Sequence, residues 1–438
     1  EPRGCEDSYP QLARCHLGGI EMSVPFTKAM KKDYTILIPN MSPVHFNIAK
    51  EVFANHGYKV VLLENQGPNV IREGLRYVHN DICYPAQLVI GQLIDAIKHG
   101  EYDANRVALV ITQTGGGCRA SNYLFLLRKA LEKCQMPQIP VISLNLKGME
   151  KNPGFKLSFF MLLQAYSAFV YGDLLMTLSN QVRPYEVNKG EADALVAKWT
   201  AYLGERFAHN RGYIGWAMKR NLERICSEFA AIQTRKEERI KVGIVGEIYM
   251  KYSPLGNNHL QEYLEQQGCE VMVPSMMGFL YYGADNAITD RSYYGGRLVS
   301  ATVTQLILRQ LFKVEKMMRT AMSASGKFTV PIPYTEMKKL DEGLLDYGVK
   351  MGEGWLLTAE MLDLVHAGYH NIVCTQPFGC LPNHIVAKGM IRAVTERVPD
   401  ANIVPIDYDP SATHVNQENR IKLMLSLAKE KLEQGKTP

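Results

Sequence analysis

Short apolar runs alternate with longer helix-periodic stretches along most of the chain. From Tyr34, YTILIPNMSPVHFNIAKEVFANHGYKVVLLEN sets out a β-rich run, a turn, an amphipathic segment, a glycine and a second β-rich run. From Ile240, IKVGIVGEIYMKYSPLGNNHLQEYLEQQGCEVMVPS repeats that order. A Ser-Pro pair opens each predicted helix, Ser42-Pro43 and Ser253-Pro254, with serine as cap and proline in the first helical position. Further on, Arg106 to Asn145 and His370 to Asp409 both run strand, Thr-Gln, tight turn, Cys, helix, strand. The Ser-Pro sites lie 211 residues apart and the Thr-Gln sites 263 apart, which predicts about 52 extra residues in the second half.

These patterns predict an α/β protein of two Rossmann-like lobes, each a doubly wound parallel sheet, from an internal repeat with additional helices. The expected boundaries are a leader at 1–33, a first lobe at 34–188, connecting helices at 189–239 and a second lobe at 240–438. A helical insertion is expected at about 274–351, holding the amphipathic helix Val299 to Met322.

The most apolar window, Leu157 to Val170, falls short of the roughly 20 residues that span a bilayer, and Asp173 follows it, so it reads as a buried helix and not a membrane segment. With 46% hydrophobic and 21% charged residues the 438-residue chain is composed like a folded protein. Its 49 basic and 44 acidic residues form no long run of one sign, which argues against nucleic acid as an obligate partner. The start at Glu1 without Met reads as a processed or trimmed chain or an excised fragment, and no secretion signal supports export. Nine cysteines, an odd count too low for a disulfide scaffold, point to a reducing, cytoplasmic compartment.

Ligands of open parallel sheets gather at the carboxyl ends of strands. Cys118 in TQTGGGC and Cys380 in CTQPFGC fall there, each ahead of a helix whose N-terminus is expected to lower a thiol pKa. The glycines before Cys118 are expected to let the backbone approach a bulky ligand. Cys83, in NDICYPAQ, precedes another helix, and Cys374 ends the strand before the Cys380 turn. If the lobes face each other, Cys83, Cys118, Cys374 and Cys380 converge, and all-thiolate ligation selects an iron–sulfur cluster or zinc. Paired CxxC knuckles for zinc are missing. Cys5 and Cys15 are either extra ligands or exposed thiols; Cys134, Cys226 and Cys269 read as small core residues. Arg119, His384, Glu247 and Tyr249 are candidate cleft residues, each with an ordinary structural alternative. Cys118 as a nucleophile with His384 as base is the competing chemistry. No GxxxxGK[ST] occurs, and GIVGEIY lacks the third glycine of a dinucleotide fingerprint, so no nucleotide is expected on this chain.

The stretches TILIPNMSPVHF, NDICYPAQLVIGQLIDA, ITQTGGGCRASNY, VGIVGEIYMKYSPLGNN, GEGWLLTAEM, CTQPFGCLPNHI and NIVPIDYDPSATHVNQENRIKLML resemble the acyl-CoA dehydratase activase-related proteins. These are similar to the electron-receiving component of 2-hydroxyacyl-CoA dehydratases and to the double-cubane cluster proteins. The resemblance runs from about Arg3 to Lys429. It implies a cysteine-held [4Fe–4S] or larger eight-iron cluster between two lobes, on Cys83, Cys118, Cys374 and Cys380. It also implies a homodimer, and reduction by an ATP-hydrolysing activase with its own [4Fe–4S] cluster. The expected function is the catalytic, electron-accepting component of an ATP-dependent low-potential reductase. Its alternatives are a 2-hydroxyacyl-CoA dehydratase component and a non-catalytic electron-storage segment of a fused activase. Four converging cysteines tilt the reading toward the larger cluster.

Overall fold

The computed structural model describes residues 24–114, 116–144, 152–296 and 298–433. Two four-stranded, all-parallel sheets organise them. The first joins β1 (Thr35–Pro39), β2 (Lys59–Leu63), β3 (Val107–Thr112) and β4 (Val141–Leu144) in the order β2-β1-β3-β4. The second joins β5 (Lys241–Gly246), β6 (Glu270–Met272), β7 (Asn371–Pro377) and β8 (Asn402–Tyr408) in the order β6-β5-β7-β8.

Helices cover both faces of each sheet, so the strands read as near-continuous apolar runs. Alternate residues serve opposite faces: Leu37 and Leu109 enter one core cluster while Ile36, Ile38, Ala108 and Val110 enter another. Val242, Ile244 and Val373 of the second sheet belong to the same cluster as Leu37 and Leu109, so one apolar core runs through both lobes. The helices Glu191–Ala208 and Gly215–Ala231 connect the lobes, and Met276–Tyr294, Leu298–Ser325 and Tyr334–Leu340 stand between β6 and β7.

Several elements differ from the sequence expectation. The apolar window belongs to a 24-residue helix, Phe159–Val182, long and apolar enough by composition to cross a membrane, with 61% of its most apolar window buried inside the protein. Asp173 lies inside this helix, its carboxylate fully buried and fully bonded. It pairs with His45 Nε2 (3.0 Å) and accepts from Ser275 Oγ (2.5 Å), Met276 N (2.7 Å) and Met277 N (3.0 Å). Ser42 stands at the N-cap of the helix Pro43–Asn55 with Pro43 opening it, as expected, but its hydroxyl bonds His45 Nδ1 at 2.8 Å and not a backbone amide. Ser253 does accept from Gly256 N, yet the helix it opens, Pro254–Asn257, stops after four residues. Asn258 and His259, both at φ 56°, break it before the helix Leu260–Gln266.

Candidate functional site

Three loops meet between the lobes. Cys83 is the residue before the helix Tyr84–His99, with Pro85 in its first turn, and its extended backbone accepts from Ala86 N at 3.0 Å. Cys118 follows β3 and its glycine turn and opens the short 3₁₀ segment Arg119–Asn122, ahead of the helix Tyr123–Lys133. Cys380 follows β7 and precedes the π-helical turn Asn383–Ala387. The β7 loop lies directly on the Cys83 loop, where Tyr84 N donates to Phe378 O at 2.9 Å. Gly379 passes so close that a Cβ there would stand 3.0 Å from Cys83 Cα. The glycine turn meets the other lobe too, since Gly117 N donates to Met351 Sδ at 3.1 Å. A Cβ on Gly117 would sit 2.8 Å from that sulfur, so any larger residue there would have to displace the Met351 side chain. Gly115 lies outside the described residues.

The three thiols share one electrostatic setting. Cys83 senses Cys118, Cys380 senses Cys83, and Glu247 acts on all three. The expectation that helix N-termini lower these thiol pKa values is reversed. Burial pushes Cys83 up to about 11 and raises Cys118 and Cys380 as well, with the carboxylates Glu247 and Glu353 adding to it for Cys118 and Cys380. Desolvation outweighs a partial helix charge when the loop is sealed by the other lobe. The buried Tyr123 hydroxyl lies 2.9 Å from Cys83 Sγ, a contact not foreseen from sequence; the signal for it was its place five residues after Cys118 in GCRASNY.

Glu247 and Glu353 form the polar floor. Glu247 Oε2 accepts Met250 N (2.9 Å) and Glu353 Oε1 accepts Ile248 N (2.8 Å), both at the start of the helix Ile248–Tyr252. Burial, then the neighbouring Glu353, pushes Glu247 up to about 8; burial raises Glu353 too. Behind them Lys251 Nζ bonds both oxygens of Glu360 at 2.6 and 2.8 Å, in a fully buried pair. Glu353 was missed from sequence because it arrives from the end of the insertion. Its signal is the Gly-Glu-Gly bracket, with Gly352 at φ 60° and Gly354 at φ 46° bending the chain on either side. Tyr249 is buried near Glu247, its hydroxyl without a partner.

Cys374 does not join the group. The strand period turns it to the other face of β7 with Ile372, into a core shared with Leu357 and Met361, where its thiol lies 3.8 Å from Asn383 Oδ1. Arg119 points away as well and ties the Cys118 loop to Asp81 O, two residues before Cys83. His384 is exposed, with Lys388 and Asp407 as its charged neighbours, and no hydrogen bond joins it to Cys118, so the nucleophile–base pair is not formed. Cys5 and Cys15 lie outside the described residues. Among the described residues no three His, Cys, Asp or Glu side chains stand close enough together to hold a single metal ion. A scan against protein-family models and a search of curated proteins both find no match to this chain.

Proposed function

We propose that the chain is an iron–sulfur protein in which Cys83, Cys118 and Cys380 hold a [4Fe–4S] cluster. In this reading it is the electron-accepting, catalytic component of a low-potential system driven by ATP hydrolysis on a separate activase. The observation that carries it is the meeting of three cysteine-bearing loops of two lobes, joined by Tyr84 N to Phe378 O, Tyr123 to Cys83 and Arg119 to Asp81 O, beside two buried carboxylates. The donor set fits the group, because cysteine-only ligation suits iron–sulfur clusters. Ligands of a polynuclear cluster also stand farther apart than those of one ion. When bound, such a cluster stores electrons and, with three protein ligands, offers an open iron to a substrate oxygen.

The count of three removes the reason for preferring the eight-iron form and favours the dehydratase alternative over reduction of a small molecule. This chain's own groups support either chemistry. Glu247, whose carboxyl burial and the neighbouring Glu353 hold well above the usual carboxylate range, is placed to give a proton to a leaving hydroxyl or a reduced product. Tyr123 orients the Cys83 sulfur, and Arg119 positions the Cys118 loop. A homodimer in a reducing, cytoplasmic setting belongs to the same proposal. So does origin of the lobes by duplication, supported by their like strand order and by Thr-Gln at the end of the third strand of each, followed by a turn and a cysteine.

Anaerobically reconstituted, prereduced protein tests the reading with a 2-hydroxyacyl-CoA and with small oxidised acceptors. Dehydration with turnovers far above the electrons supplied is expected, and Glu247→Gln should slow it at least tenfold. Product matching the electrons supplied would instead make it a reductase. Redox-active iron without turnover would make it a storage segment, and no redox-active iron would contradict the proposal.

A further inference from the structure

Away from the cysteines, a cavity of about 80 Å³ opens among the helices Phe159–Val182, Met276–Tyr294, Leu298–Ser325 and Leu356–His366. Its walls are mainly apolar, and five charged side chains reach it: Asp173, Glu315, Arg319, Glu360 and Asp363. Four are already engaged. Asp173 is bonded by His45, Ser275 and two backbone amides. Glu315 accepts Tyr334 N at 2.8 Å, Arg319 Nε donates to Pro331 O at 2.6 Å, and Glu360 holds Lys251. Asp363 is different: its Oδ1 is buried without a hydrogen-bond partner, and no ion pair among the described residues links it to Arg319. A buried, unpartnered carboxylate oxygen is costly and calls for a donor. Burial, then Glu360, pushes this carboxyl up to about 7 against the opposing pull of Arg319, which makes no ion pair with it.

We propose that this cavity is a binding site for a small primary-ammonium cation bearing a short apolar tail, with Asp363 as its counter-ion. The donor set decides the class of ligand. A hard divalent cation needs about six oxygens, and here the other carboxylates are committed elsewhere. One free carboxylate beside methionine and aliphatic walls suits an organic monocation, whose ammonium bonds Asp363 while its carbons meet the apolar lining. At about 10–15 Å³ for each water-sized group, the space takes roughly five to eight heavy atoms. Gly278, on the cavity wall, has nothing within 4 Å of the position a Cβ would take, so a side chain added there fills the site without touching the charged groups.

Propylammonium and its neutral counterpart 1-propanol, titrated into the full chain at pH 8 with methionine methyls labelled, separate the outcomes. Met272 and Met318 line the cavity and report occupancy, while Met424, in a different core, reports general perturbation. The expected result is a saturable shift of Met272 and Met318 with propylammonium, at least tenfold weaker binding of 1-propanol, and no movement of Met424. Asp363→Asn should weaken the amine at least tenfold and leave propanol unchanged. Gly278→Leu should abolish both while keeping the Met424 signal of the folded protein. Equal binding of amine and alcohol would overturn the proposal in favour of an uncharged apolar hole. So would unaltered amine binding by Asp363→Asn, or the absence of any saturable shift.

Discussion

Gly379 holds a φ of 71° and presses on the backbone of Cys83, so two independent constraints act on one residue. Alanine there would cost about 1–2 kcal/mol in the left-handed region before any clash is counted. Gly379→Ala is expected to lower the urea midpoint and to displace Cys83, loosening whatever the three thiols hold. Asp341 offers a second test, this time of pH. It is fully buried, and burial pushes its carboxyl up to about 6 against the opposing pull of Thr358 and Arg397. A carboxyl raised in the folded state binds its proton more tightly there than in the unfolded chain. Stability is therefore lost as pH rises from about 4 to about 6 and stays lower above it. Asp341→Asn should raise stability by about 2 kcal/mol at pH 8 and change it little at pH 4, as read by urea unfolding at the two pH values. At this scale the sequence was a good guide wherever a cysteine stood beside a Gly- or Pro-marked turn, as Cys83, Cys118 and Cys380 do. It was a poor guide to Glu353 and Tyr123, whose roles depend on what the fold brings opposite them.

Elements show the same division. Parallel strands with buried faces announce themselves as apolar runs, as β1, β2, β3 and β5 do, whereas β6 (Glu270–Met272) and β8 (Asn402–Tyr408) carry polar residues within the strand. Which face a given strand residue serves is not written in that run, and so Cys374, expected at the strand end beside the Cys380 turn, lies instead inside β7 on the face turned to the core. Helix boundaries fared worse where tertiary bonds override local signals. Asp173 reads as an interruption and is in fact a mid-helix anchor, and the second Ser-Pro opens only one turn. The helix Ile248–Tyr252, capped by Glu247, is too short to hold itself and depends on the Lys251–Glu360 pair to the helix Leu356–His366. Removing one partner leaves a buried charge, so Glu360→Gln should destabilise the protein by about 3–5 kcal/mol. The paired replacement Lys251→Met with Glu360→Leu should cost far less, and equal losses in chemical denaturation would show that the pair does not pin this helix.

At the scale of the whole molecule, the site exists because the lobes are held face to face. A common apolar core and the Asp173 junction, which binds His45 of the first lobe and the Ser275–Met277 turn of the second, fix that arrangement. Asp173→Ala should cost about 3–5 kcal/mol and speed amide exchange first in the helix Met276–Tyr294. The central claim is that three cysteines, not four, carry the cofactor. Iron and acid-labile sulfide per chain, measured on anaerobically prepared protein, test it most directly in Cys83→Ala, Cys118→Ala, Cys380→Ala and Cys374→Ala. About four irons and four sulfides are expected in the parent, with loss in each of the first three variants and retention in Cys374→Ala. About eight irons, loss on replacing Cys374, or protein without iron would contradict it.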